Sequence, residues 1–112
     1  MSRNAIKAIE MDNRNSNTLD GTFQVLNAGG LPKACTIIKI VNDSDRDVLI
    51  SYDGVTDHDY VPLGDKLELN LQANSQPNGY ASSMAQGTVF YVRGLAGGTG
   101  YIYLVGYYNE KN

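Results

Sequence analysis

The chain has 112 residues, 19% of them charged, and a formal net charge of −3, a size that leaves room for one compact domain. No apolar stretch approaches the roughly 18 to 20 residues that cross a bilayer as a helix, and the acidic balance offers no basic footprint for a phosphate backbone. A membrane-spanning helix and nucleic-acid binding are therefore set aside.

Composition points to sheet. Gly, Asn and Asp supply 32 residues and Val, Ile, Thr, Tyr and Phe supply 31, against three Glu. The first group tolerates tight turns and the second packs well on pleated strands, so an all-β domain is expected. Residues 1–12 lack the continuous apolar centre of a secretory signal, so synthesis in a cytoplasm is expected. The single cysteine, Cys35, cannot close an internal disulfide.

In chain order, residues 5–9 (AIKAI) form a short strand or an arm, and residues 12–20 (DNRNSNTLD) hold one aliphatic side chain, Leu19, too little to order alone. Residues 1–20 are expected as an N-terminal arm and polar loop, and residues 21–112 as the folded domain. TFQVL (22–26) alternates. CTIIKIV (35–41) is apolar on both parities and is expected as a central strand covered on both faces. VLISY (48–52) ends at Asp53-Gly54, a pair suited to positive φ, and a short extended piece starts at Asp59. In KLELNL (66–71) Leu67, Leu69 and Leu71 share the dry face. Residues 72–87 read as a long loop with room for one helical turn at 81–85, and TVFYVR (88–93) and YIYLVGYY (101–108) supply the last strands. Seven or eight short antiparallel strands must stack as two sheets to bury their inner faces. The expected fold is all-β: a single antiparallel β-sandwich, jelly-roll or immunoglobulin-like, with an N-terminal arm.

Few constellations carry chemistry. His58, flanked by Asp57 and Asp59, could serve as a base with Ser51 or Cys35 as nucleophile, but strand neighbours point to opposite faces and nothing resembles a nucleophile elbow. Asp43, Asp45 and Asp47 imitate the start of a calcium loop, yet its sixth position holds Val48 and its twelfth Gly54; turns built by the carboxylates themselves explain the run without a metal. The four glycines of 94–100 join two strands and lack the lysine and helix of a phosphate cradle. No catalytic residue, metal or cofactor is expected. Tyr101, Tyr103 and Tyr107 share one parity, which fits a partner or sugar surface as well as it fits core packing; without tryptophan, subunit contact is preferred to sugar.

The order IVNDSD (40–45), ISYDGVTDHDYVP (50–62), Leu-x-Leu-x-Leu, Gln-x-Asn (72–74), GTVFYV (87–92) and Gly-x-Ile-Tyr-x-x-Gly-Tyr-Tyr (100–108) resembles small β-sandwich structural proteins of tailed-bacteriophage virions. The resemblance implies a non-enzymatic virion protein made in the host cytoplasm. It would be a capsid decoration or cement protein in many copies, or a neck or tail component. Its partners would be the major capsid protein or neck and tail proteins, together with further copies of itself. Contacts would come from the arm (Arg3, Ile6, Ile9), the loops (Asp57, His58, Tyr80) and the tyrosine row (Tyr101, Tyr103, Tyr107). The rivals are a carbohydrate-binding module using that row and a hydrolase dependent on His58.

Overall fold

The computed structural model describes residues 4–71, 83–95 and 97–111, with side chains placed for 6–71, 83–95 and 97–108. Among these the strands are β1 (Asn4–Ala8), β2 (Asp12–Asn15), β3 (Gln24–Val25), β4 (Ile37–Ser44), β5 (Val48–Ser51), β6 (Asp59–Val61), β7 (Lys66–Asn70), β8 (Tyr91–Gly94) and β9 (Gly100–Lys111), with a 3₁₀ turn at Ser16–Thr18.

The strands build two antiparallel sheets. In sheet A the order is β1-β9-β4-β7, with β2 also on β9; in sheet B it is β3-β8-β5-β6. Strands β2 to β9 thus alternate as 2-9-4-7 and 3-8-5-6, the jelly-roll order of two interlocked Greek keys. This settles the expected sandwich on the jelly roll and excludes the immunoglobulin-like alternative.

Alternation sets the core. Ile38 and Ile40 of β4 and Ile102 and Leu104 of β9 face Val48 and Ile50 of β5, Val61 of β6 and Val92 of β8, all buried, with Phe90 and Leu19 between them. Each such side chain contributes about 1.5–3 kcal/mol over leaving it exposed. Leu67 and Leu69 pair with Ile40 and Ile38 on this inner side, as their alternation predicts. One buried asparagine joins the two layers and another extends sheet B. Asn42 of β4 donates from Nδ2 to the carbonyls of Arg46 (2.7 Å) and Val61 (3.0 Å), reaching across to β6. Asn27, just after β3, bonds the backbone of Thr88 and Phe90 just before β8, within sheet B.

Three expectations are corrected. The arm and loop of residues 1–20 are built into the sandwich over their described part. β1 pairs with Tyr107–Lys111 of β9, β2 pairs with residues 101–104, and Leu19 is 1% exposed. The polar segment orders because β9 offers it an edge and Leu19 an anchor. Between β1 and β2 three residues, 9–11, span only Val105 and Gly106, a bulge that turns Ile9 into the core. Beyond the bulge Arg14 closes the sandwich, its guanidinium donating to the Val25 carbonyl and to Gln24 Oε1, both at 3.0 Å.

The second correction concerns β4. Its inner residues are buried, but Ile37, Lys39 and Val41 are only half-buried, and no described element lies over them. The third concerns the helical turn expected at 81–85: residues 81–82 lie outside the described part, and 83–85 are extended. Met84 exchanges backbone hydrogen bonds with Cys35 at 2.9 and 2.7 Å.

Candidate functional site

The outer face of sheet A is set by the parity of β9. Because Ile102 and Leu104 fill the core, Tyr101, Tyr103, Val105 and Tyr107 look outward. Register places Tyr101 between Asn15 and Asp43, Tyr103 between Asn13 and Val41, and Tyr107 between Ala8 and Ile37. Tyr101 is 41% exposed and its ring centroid lies 6.0 Å from that of Tyr103. The Lys39 ammonium sits 5.8 Å from the centre of the Tyr107 ring, within cation–π range. The result is an aromatic column on a broad sheet face. Large rings with polar tips suit a surface that must bury apolar area and still be wetted when free.

Ile6 continues this face. It stands on β1 opposite Asn109, two residues along from Ala8 and Tyr107, and is 55% exposed. Ile9 does not belong to it, since the bulge buries it at 9% exposure and leaves it no partner surface. Arg3 and Tyr80 lie outside the described residues. The sequence carried the signal for the face: Ile102, Leu104 and Gly106 against Tyr101, Tyr103, Val105 and Tyr107 is a dry and a wet parity. Core packing of that tyrosine row is thereby excluded.

Asp57 and His58 occur elsewhere, in the β5–β6 loop of sheet B. Asp57 accepts from Arg93 Nε at 2.8 Å and Nη2 at 2.6 Å, and this pairing holds its carboxyl below the usual range. The Arg93 guanidinium lies 5.3 Å from the Phe23 ring centre. His58 is part of the turn: Nδ1 accepts the Tyr52 backbone N–H at 3.0 Å, and the imidazole stacks on the Tyr52 ring with centroids 5.2 Å apart. The Tyr52 hydroxyl donates to Asp59 at 2.5 Å; burial first, then that bond, pushes its pKa up. Ser51, buried, donates its hydroxyl to Asp53 Oδ1 at 2.8 Å. The Asp53 carboxylate also accepts from the Thr56 and Val55 N–H groups, and these bonds drive its pKa well below the carboxylate range. The Ser51 proton is thus directed at Asp53, and the His58 acceptor nitrogen is committed to the backbone. Ser51, Asp53, Asp57, His58 and Asp59 thus each hold this loop through a contact of their own, and Cys35 lies apart from them beside Met84.

The acidic run is likewise divided among separate contacts. Asp45 accepts the Thr99 N–H at 2.8 Å, Asp47 accepts the Leu63 N–H at 2.9 Å, and Asp43 stands on the outer face beside Tyr101. Among the described residues no three His, Cys, Asp or Glu side chains converge on a common point. The glycine-rich hairpin packs inward: a Cβ at Gly98 would collide with Ser16 Oγ and with Arg46 Cγ at 2.7 Å. A groove of about 230 Å³ on sheet B runs between Leu49, Tyr60, Arg93 and Leu95, but its polar groups are already engaged by Asp57, Asp47 and Leu63.

Comparison with protein-family models, with curated proteins and with solved structures gave no match to this chain.

Proposed function

We propose that the protein is a non-enzymatic virion structural component, a capsid decoration or cement protein carried in many copies, which docks through the outer face of sheet A. The observation that carries this reading is the outward row Tyr101, Tyr103 and Tyr107, set among Ile37, Val41 and Val105 with no described element over it. A face of that composition resembles the aromatic, apolar centre of a protein contact. The resemblance of residues 40–107 to phage virion sandwiches supplies the particle context. The jelly roll is used by viral capsid and lectin domains alike, which agrees with this reading only as an analogy of fold. A neck or tail station uses the same face against a different neighbour. Weak single contacts suffice on a particle because symmetric repetition multiplies them.

The test is mass spectrometry of purified particles from a host that makes the chain, with and without Tyr103→Asp. The wild-type chain is expected at tens of copies or more per particle, and the variant, melting as the wild type does, is expected to be lost from particles. Absence of the wild-type chain from particles would end the proposal.

A further inference from the structure

Past Tyr107, β9 outruns the rest of its sheet. β4 pairs with residues 100–107 and β1 with residues 107–111, so the end of β9 has β1 as its sole described strand partner. A two-stranded ribbon is marginal in water unless a further strand joins it. On its far side β1 meets no described strand. Natural sheets blunt such an edge with charge, proline or a bulge. Here the bulge begins only at Ile9, and the middle residue of the strand, Ile6, is 55% exposed.

The phase of the ladder says which groups wait there. Ile9 donates its N–H to the Gly106 carbonyl at 3.0 Å, and this pair continues the β1–β9 register. Bonding alternates along an antiparallel strand, so Ala5 and Lys7 turn their N–H and C=O toward β9, while Asn4, Ile6 and Ala8 turn theirs outward. A second β1, antiparallel about a twofold axis at Ile6, sets Ile6 against Ile6 and Asn4 against Ala8. All three outward residues then bond in both copies, about six hydrogen bonds in all. Shifting to Ile6 against Ala8 leaves Asn4 unused and opposes Lys7 to the second copy's Lys7, a destabilising like-charge pair. Shifting to Asn4 against Ile6 leaves Ala8 unused. Shifts by one residue match outward groups with inward ones. The edge therefore fits itself best in a single register. We infer that β1 is a self-pairing edge, and that its occupant is β1 of a second copy of this chain, the two joined about Ile6 into one continuous sheet.

The inference goes beyond the proposed docking face and does not need it, since pairing is made in the plane of the sheet. The twofold stands perpendicular to that plane, so the outer faces of sheet A in both copies look the same way. The dimer offers two tyrosine rows to one neighbour, and avidity multiplies a weak contact. Five-residue strands bury less than the roughly 1,200 Å² at which standard interfaces begin, so association is expected at about 10–100 µM.

Sedimentation velocity on the full chain from about 5 to 500 µM tests it, a range chosen to bracket that association. The wild type is expected to pass from monomer to dimer. Ile6→Pro removes the outward N–H on the axis and no β1–β9 bond, so it should melt as the wild type does and weaken association about tenfold or more. Ile6→Cys and Lys7→Cys read the register. The two Ile6 positions would stand about 5.5 Å apart at Cα, within disulfide reach, and the two Lys7 positions about 8 Å apart, beyond it. Mild oxidation should cross-link Ile6→Cys at least about tenfold faster than Lys7→Cys; Cys35, being buried, stays out of the reaction. A chain that is monomeric throughout overturns the inference, as does a dimer indifferent to Ile6→Pro. Equal cross-linking of the two cysteine variants overturns it as well, and this pair decides alone if Ile6→Pro fails to fold. The two readings separate: a monomer found in particles removes only the second copy, and a dimer never found in particles removes only the virion role.

Discussion

Asn27 holds the backbone of Phe90 from inside the core. Its Oδ1 accepts the Phe90 N–H at 2.8 Å and its Nδ2 donates to the Thr88 carbonyl at 3.1 Å, while both side chains are fully buried. Leu26 donates its own N–H to the Phe90 carbonyl at 2.8 Å, so β3 is extended past Val25 by one backbone bond and then by a side chain that imitates one. Where the chain leaves the ladder at Ala28, a buried amide finishes the pairing.

Asn27→Ala is therefore expected to cost about 1–3 kcal/mol, the penalty of a buried N–H left without an acceptor. The orphan is Phe90, because the Thr88 carbonyl also accepts from Leu31 at 3.0 Å. Urea denaturation should show a lower midpoint at unchanged slope. A loss below about 0.5 kcal/mol would mean that water replaces the amide.

Residues 1–20 are expected to be needed for folding, because they supply two strands beside β9 and the buried Ile9 and Leu19. Leu19→Ala should cost about 2–5 kcal/mol, as for other fully buried leucines. Deleting 1–20 removes Ile9, Leu19 and both strands that flank β9 on one side, and the truncated chain should lose its cooperative thermal transition. A truncated chain that melts like the full one would show that the N-terminal strands are ornamental.

Acid should loosen the β5–β6 loop. Hydrogen bonds from Thr56, Val55 and Ser51 lower the Asp53 pKa, and Arg93 lowers that of Asp57. Asp20 and Asp45 are lowered too, chiefly by Thr22 and Thr99. For a depressed carboxyl, the stabilisation is complete above the unfolded value near 3.8 and is lost as pH falls through the lower folded value. Asp12, raised by burial and by Glu10, opposes the trend by favouring the protonated fold. Melting temperature should thus decline steeply only below about pH 4, and Asp53→Asn should flatten that decline. A variant with an unchanged profile would remove Asp53 from the account.

Cys35 should be silent in the native state. It is fully buried, its Sγ lies 3.4 Å from the Lys33 carbonyl, and burial pushes the thiol pKa up. Thiolate is the reactive form, so a disulfide reagent at pH 8 should react over the timescale of unfolding and at once in urea. Immediate labelling of the folded chain would place the sulfur at the surface.

Much of this protein was legible as a string. Its turn and strand formers, the Leu67–Leu69 alternation and the two parities of residues 101–107 determine a sandwich with one dry side per strand, because side-chain direction in a strand depends only on counting by two. Tertiary structure decided the rest. Residues 12–15 have no strand signal of their own and become a strand only because residues 101–104, almost ninety positions away, offer an edge. Arg14, Asn27 and Asn42 look like loop polars until the fold places Val25, Phe90 and Val61 beside them. The Asp57–His58 pair, a catalytic suggestion in the sequence, is spent on Arg93 and the Tyr52 backbone once the loop closes. Local patterning tells a residue which way to point, and only the completed fold supplies what it meets there.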